Sequence, residues 1–123
     1  MPQPTDWRAD WRKRKMRLGG KGERIVARLF NGKRTANHHP VDVLTESQAI
    51  EVKTFDGRRA KLKKIGMRKK DRAAKRQFAR ENGKEPVTVL VVVYPDRYVV
   101  FSKPGFKNTS PEYMEHLVTL TRR

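Results

Sequence analysis

The sequence predicts an α/β domain (α+β by some schemes) with a mixed central sheet of about four strands flanked by helices. Three observations carry that expectation. Residues Val41 to Lys53 alternate apolar and polar side chains about a short turn, the period of a pleated hairpin. Residues Val87 to Tyr94 form a nearly continuous β-branched run, the length and composition of a strand buried on both faces. Helical patterns precede the hairpin and separate it from that run.

Composition bounds the partners more than the fold. A chain of 123 residues suits one domain with one modest core. Its 30 Lys and Arg against 13 acids give a net charge of +17, which attracts polyanions, nucleic acid first among them. The basic segments lack the wide apolar face needed to lie in a membrane interface. The longest apolar run falls far short of the ~20 residues that span a bilayer. Cysteine is absent, so neither a disulfide framework nor a thiolate metal site is available. The basic start is not followed by the apolar segment of a signal peptide. A cytoplasmic protein without a membrane partner is the expectation these features allow.

Residues 1–18 place Trp7 and Trp11 at helical spacing among Arg8, Arg12, Lys13, Arg14, Lys15 and Arg17. Two readings stay open for this stretch. It is an arm that stacks indoles on bases while Arg12 and Arg14 meet phosphates, or a basic tail whose tryptophans dock on the domain or another subunit. Gly19, Gly20 and Gly22 mark a flexible joint, after which residues 19–123 form the single domain. A helix follows over Glu23–Asn31, with Ile25 and Leu29, and Val26 and Phe30, as its apolar stripe and Gly32 as its C′ residue. Glu23 stands where the helix dipole favours a carboxylate. Lys33 to His39 is a polar loop. His38 and His39 are candidates for touching a scissile phosphate or moving a proton, with solvation as the plainer reading.

The hairpin comes next, with its turn at Glu46 and Ser47. That turn sets Asp42 opposite Glu51, with Cβ atoms roughly 4.5–5.5 Å apart on one face, and Lys53 on the same face. Two facing carboxylates repel, so a divalent cation with oxygen ligands is expected between them. With an ammonium group alongside, the set suits hydrolysis of a phosphate ester. The plainer reading is an exposed hairpin face with alternating charges.

Asp56-Gly57 ends that strand. Residues 58–84 then hold thirteen Lys and Arg against Asp71 and Glu81, more than an ordinary solvated helix face requires. Arg58, Arg59, Lys61, Lys63, Lys64, Arg68, Lys69, Lys70, Lys75 and Gln77 are the candidates for tracking a phosphate backbone. A short helical piece is expected at Ala60–Ile65, set apart by Gly66. A longer helix carries Ala73, Ala74, Gln77, Phe78 and Ala79 and ends at Asn82-Gly83. The buried strand follows, then a turn at Pro95-Asp96 and a return strand from Arg97 to Ser102. Ser110-Pro111-Glu112 signals a final helix with Tyr113, Met114, Leu117, Val118 and Leu120 on its apolar side.

The order of elements resembles the PD-(D/E)XK nuclease superfamily, whose fold is restriction-endonuclease-like. The nearest members in size and order are the small Holliday-junction resolvases and single-domain phage nucleases. The resemblance spans residues 19–102 and rests on GERIVARLF, HPVDV, AIEVKTF and the helix-to-strand passage RQFARENGKEPVTVLVVV. The proline of the motif is here followed by Val41 rather than directly by the acid. The resemblance implies that Asp42, Glu51 and the backbone carbonyl of Val52 hold Mg²⁺ or Mn²⁺, and that Lys53 orients the attacking water. It further implies a metal-completing or lysine-steadying role for Glu23, and a phosphate contact from Lys75 or Gln77. Relatives often act as homodimers because two strands need two sites. The resemblance also implies a bacterial cell or a phage-infected host.

Two functions follow as expectations. One is a metal-dependent endonuclease acting on DNA, with RNA as an alternative substrate. The other is a non-catalytic basic protein that binds or packages nucleic acid, whose affinity falls steeply with salt.

Overall fold

A computed structural model describes residues 7–36, 38–58 and 68–122, with the backbone alone for 7–17. The elements run α1 (Trp7–Leu29), β1 (Lys33–Arg34), β2 (Val43–Leu44), β3 (Gln48–Asp56), α2 (Lys69–Glu81), β4 (Glu85–Val93), β5 (Arg97–Pro104), a 3₁₀ turn (Pro111–Tyr113) and β6 (Glu115–Thr121). The strands form one six-stranded mixed sheet in sequence order. All neighbours are antiparallel except β3 and β4, which run parallel and are joined by the long connection that carries α2. None of the described helices is long and apolar enough to cross a membrane.

β4 is central and buried on both faces, as its β-branched run predicts. On one face α1 packs Val26, with Leu18, Ile25 and Phe30, against Ile50, Val52, Val89 and Val91. On the other, Ala79 and Phe78 of α2 meet Val41, Ala49 and Phe106, while Leu90 and Val92 pack with Phe55, Tyr94 and Phe101. The two helices thus cover opposite faces at the β2–β3 end of the sheet.

The hairpin turn falls at Glu46 and Ser47, as expected. Thr45 N–H donates to the Gln48 carbonyl at 3.0 Å, and the Thr45 hydroxyl accepts from Gln48 N–H at 2.9 Å. Lys84, just past α2, clamps that turn by donating to the Thr45 and Glu46 carbonyls, each at 2.7 Å. Gly83, at φ +61°, ends α2 in a Schellman arrangement, with Lys84 N–H bonded to the Ala79 carbonyl at 2.8 Å.

Four expectations are corrected. The sheet has six strands rather than about four, because two-residue β1 and the C-terminal β6 extend its edges. The expected last helix is limited to one 3₁₀ turn, after which Glu115–Thr121 pairs with β5. Met114, Leu117 and Val118 fit helical spacing in isolation. Pairing instead satisfies the open edge of β5, and it sets Val118 and Leu120 across from Val100 and Tyr98.

The glycines at 19, 20 and 22 form no joint, since α1 continues through them from Trp7. The helix tolerates them because one lets it approach the sheet: a Cβ at Gly22 would stand 1.9 Å from the Thr54 hydroxyl oxygen. Gly19 has nothing within 4 Å. Gly19→Ala is therefore expected to raise stability by up to about 1 kcal/mol through helix propensity. Gly22→Ala should lower it by about 1–3 kcal/mol through overpacking, a reversal of sign that urea midpoints will read. The last correction concerns the C-cap of α1. Asn31, not Gly32, is the C′ residue, at φ 52°, while Gly32 N–H closes on the Ala27 carbonyl at 2.8 Å. The short helical piece expected at 60–65 lies outside the described residues.

Candidate active site

Asp42 owes its position to an irregularity in the hairpin. Val43 faces Ile50 in the β2–β3 register, yet Asp42 N–H also donates to the Ile50 carbonyl, at 3.0 Å. Two residues of one strand thus oppose one of the other, as in a β-bulge. The consequence is visible in the packing. Val41 joins the α2-side cluster and Val43 the α1-side cluster, although simple alternation would have put them on one face. Between them the Asp42 carboxylate turns along the strand margin, and Oδ2 accepts the Val52 N–H at 2.8 Å, replacing a ladder bond.

Glu51 and Lys53 stand on the α2-facing side of β3, as alternation predicts. Glu51 is 5% exposed. Its Oε1 lies 3.4 Å from the Lys53 ammonium and its Oε2 2.9 Å from that of Lys75. The Lys75 ammonium is thus the partner of the buried Oε2. Lys75 also donates to the Pro40 carbonyl, which ties α2 to the segment leading into Asp42.

Burial pushes the Asp42 carboxyl up from 3.8 to about 7, and the negative charge of Glu51 adds to the rise, with Glu23 contributing less. The Val52 N–H and the Lys75 ammonium oppose it without cancelling it. Asp42 and Glu51 therefore share one electrostatic neighbourhood, although the bulge takes Asp42 out of the direct cross-strand pairing with Glu51 that the alternation predicts. Glu23 is drawn elsewhere: its Oε2 accepts from Arg34 Nη2 at 2.9 Å and Nε at 3.2 Å. Among the described residues no cluster of three or more acidic, His or Cys side chains could hold a metal.

Glu51, Lys53, Lys75, Asp71, His38 and His39 line a cleft of about 410 Å³ between β3 and the start of α2. A slightly larger cleft of about 460 Å³, beside Gly32, Arg34 and Glu46, contains no pair of carboxylates. His39 is braced: its Nδ1 accepts the Val41 N–H at 3.1 Å and its ring meets Phe78 edge-on at 4.7 Å. His38 is exposed at the cleft mouth, with φ at 66°.

The phosphate-tracking candidates divide. Arg68, Lys69 and Lys70 are exposed where α2 begins, and Arg58, 70% exposed, pairs with Asp56 at 3.2 Å. Gln77 is not among the residues lining the cleft; it is exposed and bonded to Glu81 at 2.9 Å. Arg59, Lys61, Lys63 and Lys64 lie outside the described residues, as do the side chains of Arg12 and Arg14. The sequence reading missed the Lys75–Glu51 and Glu23–Arg34 pairs. A signal for the first was present: Asp71, Lys75 and Phe78 share one stripe of α2, and Phe78 had to face the sheet.

Compared with known proteins, the chain matches no family model, no curated protein and no solved structure.

Proposed function

We propose that the chain is a metal-dependent phosphodiesterase of restriction-endonuclease-like fold that hydrolyses nucleic acid, with DNA the favoured substrate. The observation that carries this reading is that Asp42 and Glu51 lie close enough for the charge of one to act on the other, with Lys53 beside Glu51 at a cleft of a protein whose net charge is +17. The order of helix, hairpin, helix and parallel strand supports it.

The residues fit a hard divalent cation. Glu51 is buried, and burial first and the charge of Glu51 second raise the Asp42 carboxyl, so the pair gains from a shared positive charge. Two carboxylates and the Val52 carbonyl suffice for Mg²⁺ or Mn²⁺, because Mg²⁺ keeps most of its waters. Once bound, the ion would polarise a phosphoryl oxygen and lower the pKa of a bound water.

The chain's own residues supply the rest. Val52 N–H fixes the orientation of the Asp42 carboxylate, and Glu51 holds the Lys53 ammonium at the cleft. Lys53 hydrogen-bonds the attacking water and offsets the charge that grows on the phosphoryl oxygens. The basic start of α2 holds the flanking phosphates, which makes binding fall with salt.

A second reading, a non-catalytic nucleic-acid-binding protein, is favoured by one observation: Glu51 already faces two ammonium groups, as in a structural ion-pair cluster. A panel of linear, nicked, branched and single-stranded DNA plus RNA, with Mg²⁺, Mn²⁺ or chelator, separates the two. The nuclease reading expects strand loss only with metal. Salt-sensitive binding with no metal-dependent scission of any substrate would replace it with the second reading.

A further inference from the structure

Resting on that reading, we infer that the Lys75 ammonium occupies the cation seat of the acidic pair until a nucleic-acid phosphate draws it away. Metal binding and substrate binding are then coupled. The geometry is specific to this lysine. Its ammonium bridges Glu51 Oε2, at 2.9 Å, and the Pro40 carbonyl, so it joins the two chain segments that supply the acids. Its side chain is only 16% exposed, against 33% for Lys53. It also acts on Asp42 as a favourable positive charge. Hence it does in the free protein what a divalent cation would do better.

The neighbours decide what happens when a cation arrives. An ammonium and a divalent ion on the same carboxylate repel strongly at such distances in a poorly solvated cleft. The ion must therefore displace Lys75 or bind weakly. Lys75 sits on α2, whose exposed Arg68, Lys69 and Lys70 are placed to gather a phosphate backbone. A phosphate entering the cleft offers Lys75 an alternative anion and frees Glu51 Oε2. Linkage then requires that nucleic acid tighten metal binding and that metal tighten nucleic-acid binding by the same factor. Such a device leaves the free protein poorly loaded and completes the site on substrate.

The test is Mn²⁺ titration of the full chain by calorimetry, as wild type, Lys75→Gln and Lys75→Arg, with thermal unfolding measured in parallel. Without nucleic acid, Lys75→Gln should bind Mn²⁺ at least about tenfold more tightly than wild type, because a repelling charge has been removed. Its melting temperature should fall in chelator, where Glu51 has lost a partner, and recover on addition of Mn²⁺. Lys75→Arg keeps the cation and should resemble wild type. A hydrolysis-resistant duplex should tighten Mn²⁺ binding to wild type but not to Lys75→Gln.

Equal or weaker Mn²⁺ binding by Lys75→Gln, or no effect of duplex on wild type, overturns the inference. If wild type still cuts with metal in that case, the coupling alone is wrong. If no variant takes up Mn²⁺ and wild type cuts nothing, the nuclease reading falls with it.

Discussion

Lys53→Ala is expected to slow metal-dependent strand scission by about 10²–10³-fold while leaving nucleic-acid affinity nearly unchanged. The side chain is 33% exposed and its ammonium touches Glu51 at 3.4 Å, so it is anchored yet open to the cleft. Its charge is one of 30 Lys and Arg, so deleting it removes little of the field that binds a polyanion. What disappears is a donor placed where negative charge builds on phosphorus. Asp42→Ala should cut as deeply by a different route, since it removes one of two carboxylates from the cation seat. Single-turnover rates at saturating enzyme separate rate from binding. Undiminished scission by both variants, with contaminating nuclease excluded, contradicts the assignment.

Asp42→Asn should stabilise the metal-free protein near about pH 8, an unusual sign for a change in a proposed active site. Burial and the charge of Glu51 raise the Asp42 carboxyl from 3.8 to about 7. For an acid whose folded-state pKa is raised, the protonated form is the one the fold prefers. Its contribution is thus complete below about pH 4 and is lost as pH climbs through about 7. At roughly 1.4 kcal/mol per unit, the loss is on the order of 4 kcal/mol. Asparagine keeps an oxygen for the Val52 N–H and never ionises, so the variant escapes that loss. Urea unfolding in chelator should find the two proteins close near about pH 4 and the asparagine variant clearly more stable near about pH 8. A difference independent of pH would mean that Asp42 is not held in this state. Added Mg²⁺ should narrow the difference at the higher pH, because the aspartate gains a bound cation.

Much of this arrangement was legible in the residues, for local reasons. Alternation around Glu46-Ser47 placed the hairpin, and the run at Val87–Tyr94 could only be a strand covered on both sides. The acid–base set of Glu51 and Lys53 follows from period two alone. The parts that were not legible depend on distant partners. Val41 and Val43 are both apolar whichever face they take, so the bulge that turns Asp42 along the strand margin leaves no trace in the pattern. The 23-residue span of α1 is hidden by glycines whose cost is offset only where Gly22 meets Thr54. Strand β6 has helical spacing and a helix-start signal, and it is a strand because β5 offers an unpaired edge. Arg34, eleven residues from Glu23, captures that carboxylate through the approach of β1 to α1, which no spacing announces. Legibility therefore ended where one element's side chains depend on another element's placement.

The central claim is that Asp42 and Glu51 jointly seat a hard cation beside a scissile phosphate. Mn²⁺ titrated onto the chain already saturated with a hydrolysis-resistant nucleic acid tests it most directly. The account predicts uptake of a single ion per chain in the wild type and its loss in Asp42→Asn at equal nucleic-acid occupancy. Identical uptake by both proteins, or none by either, would contradict it.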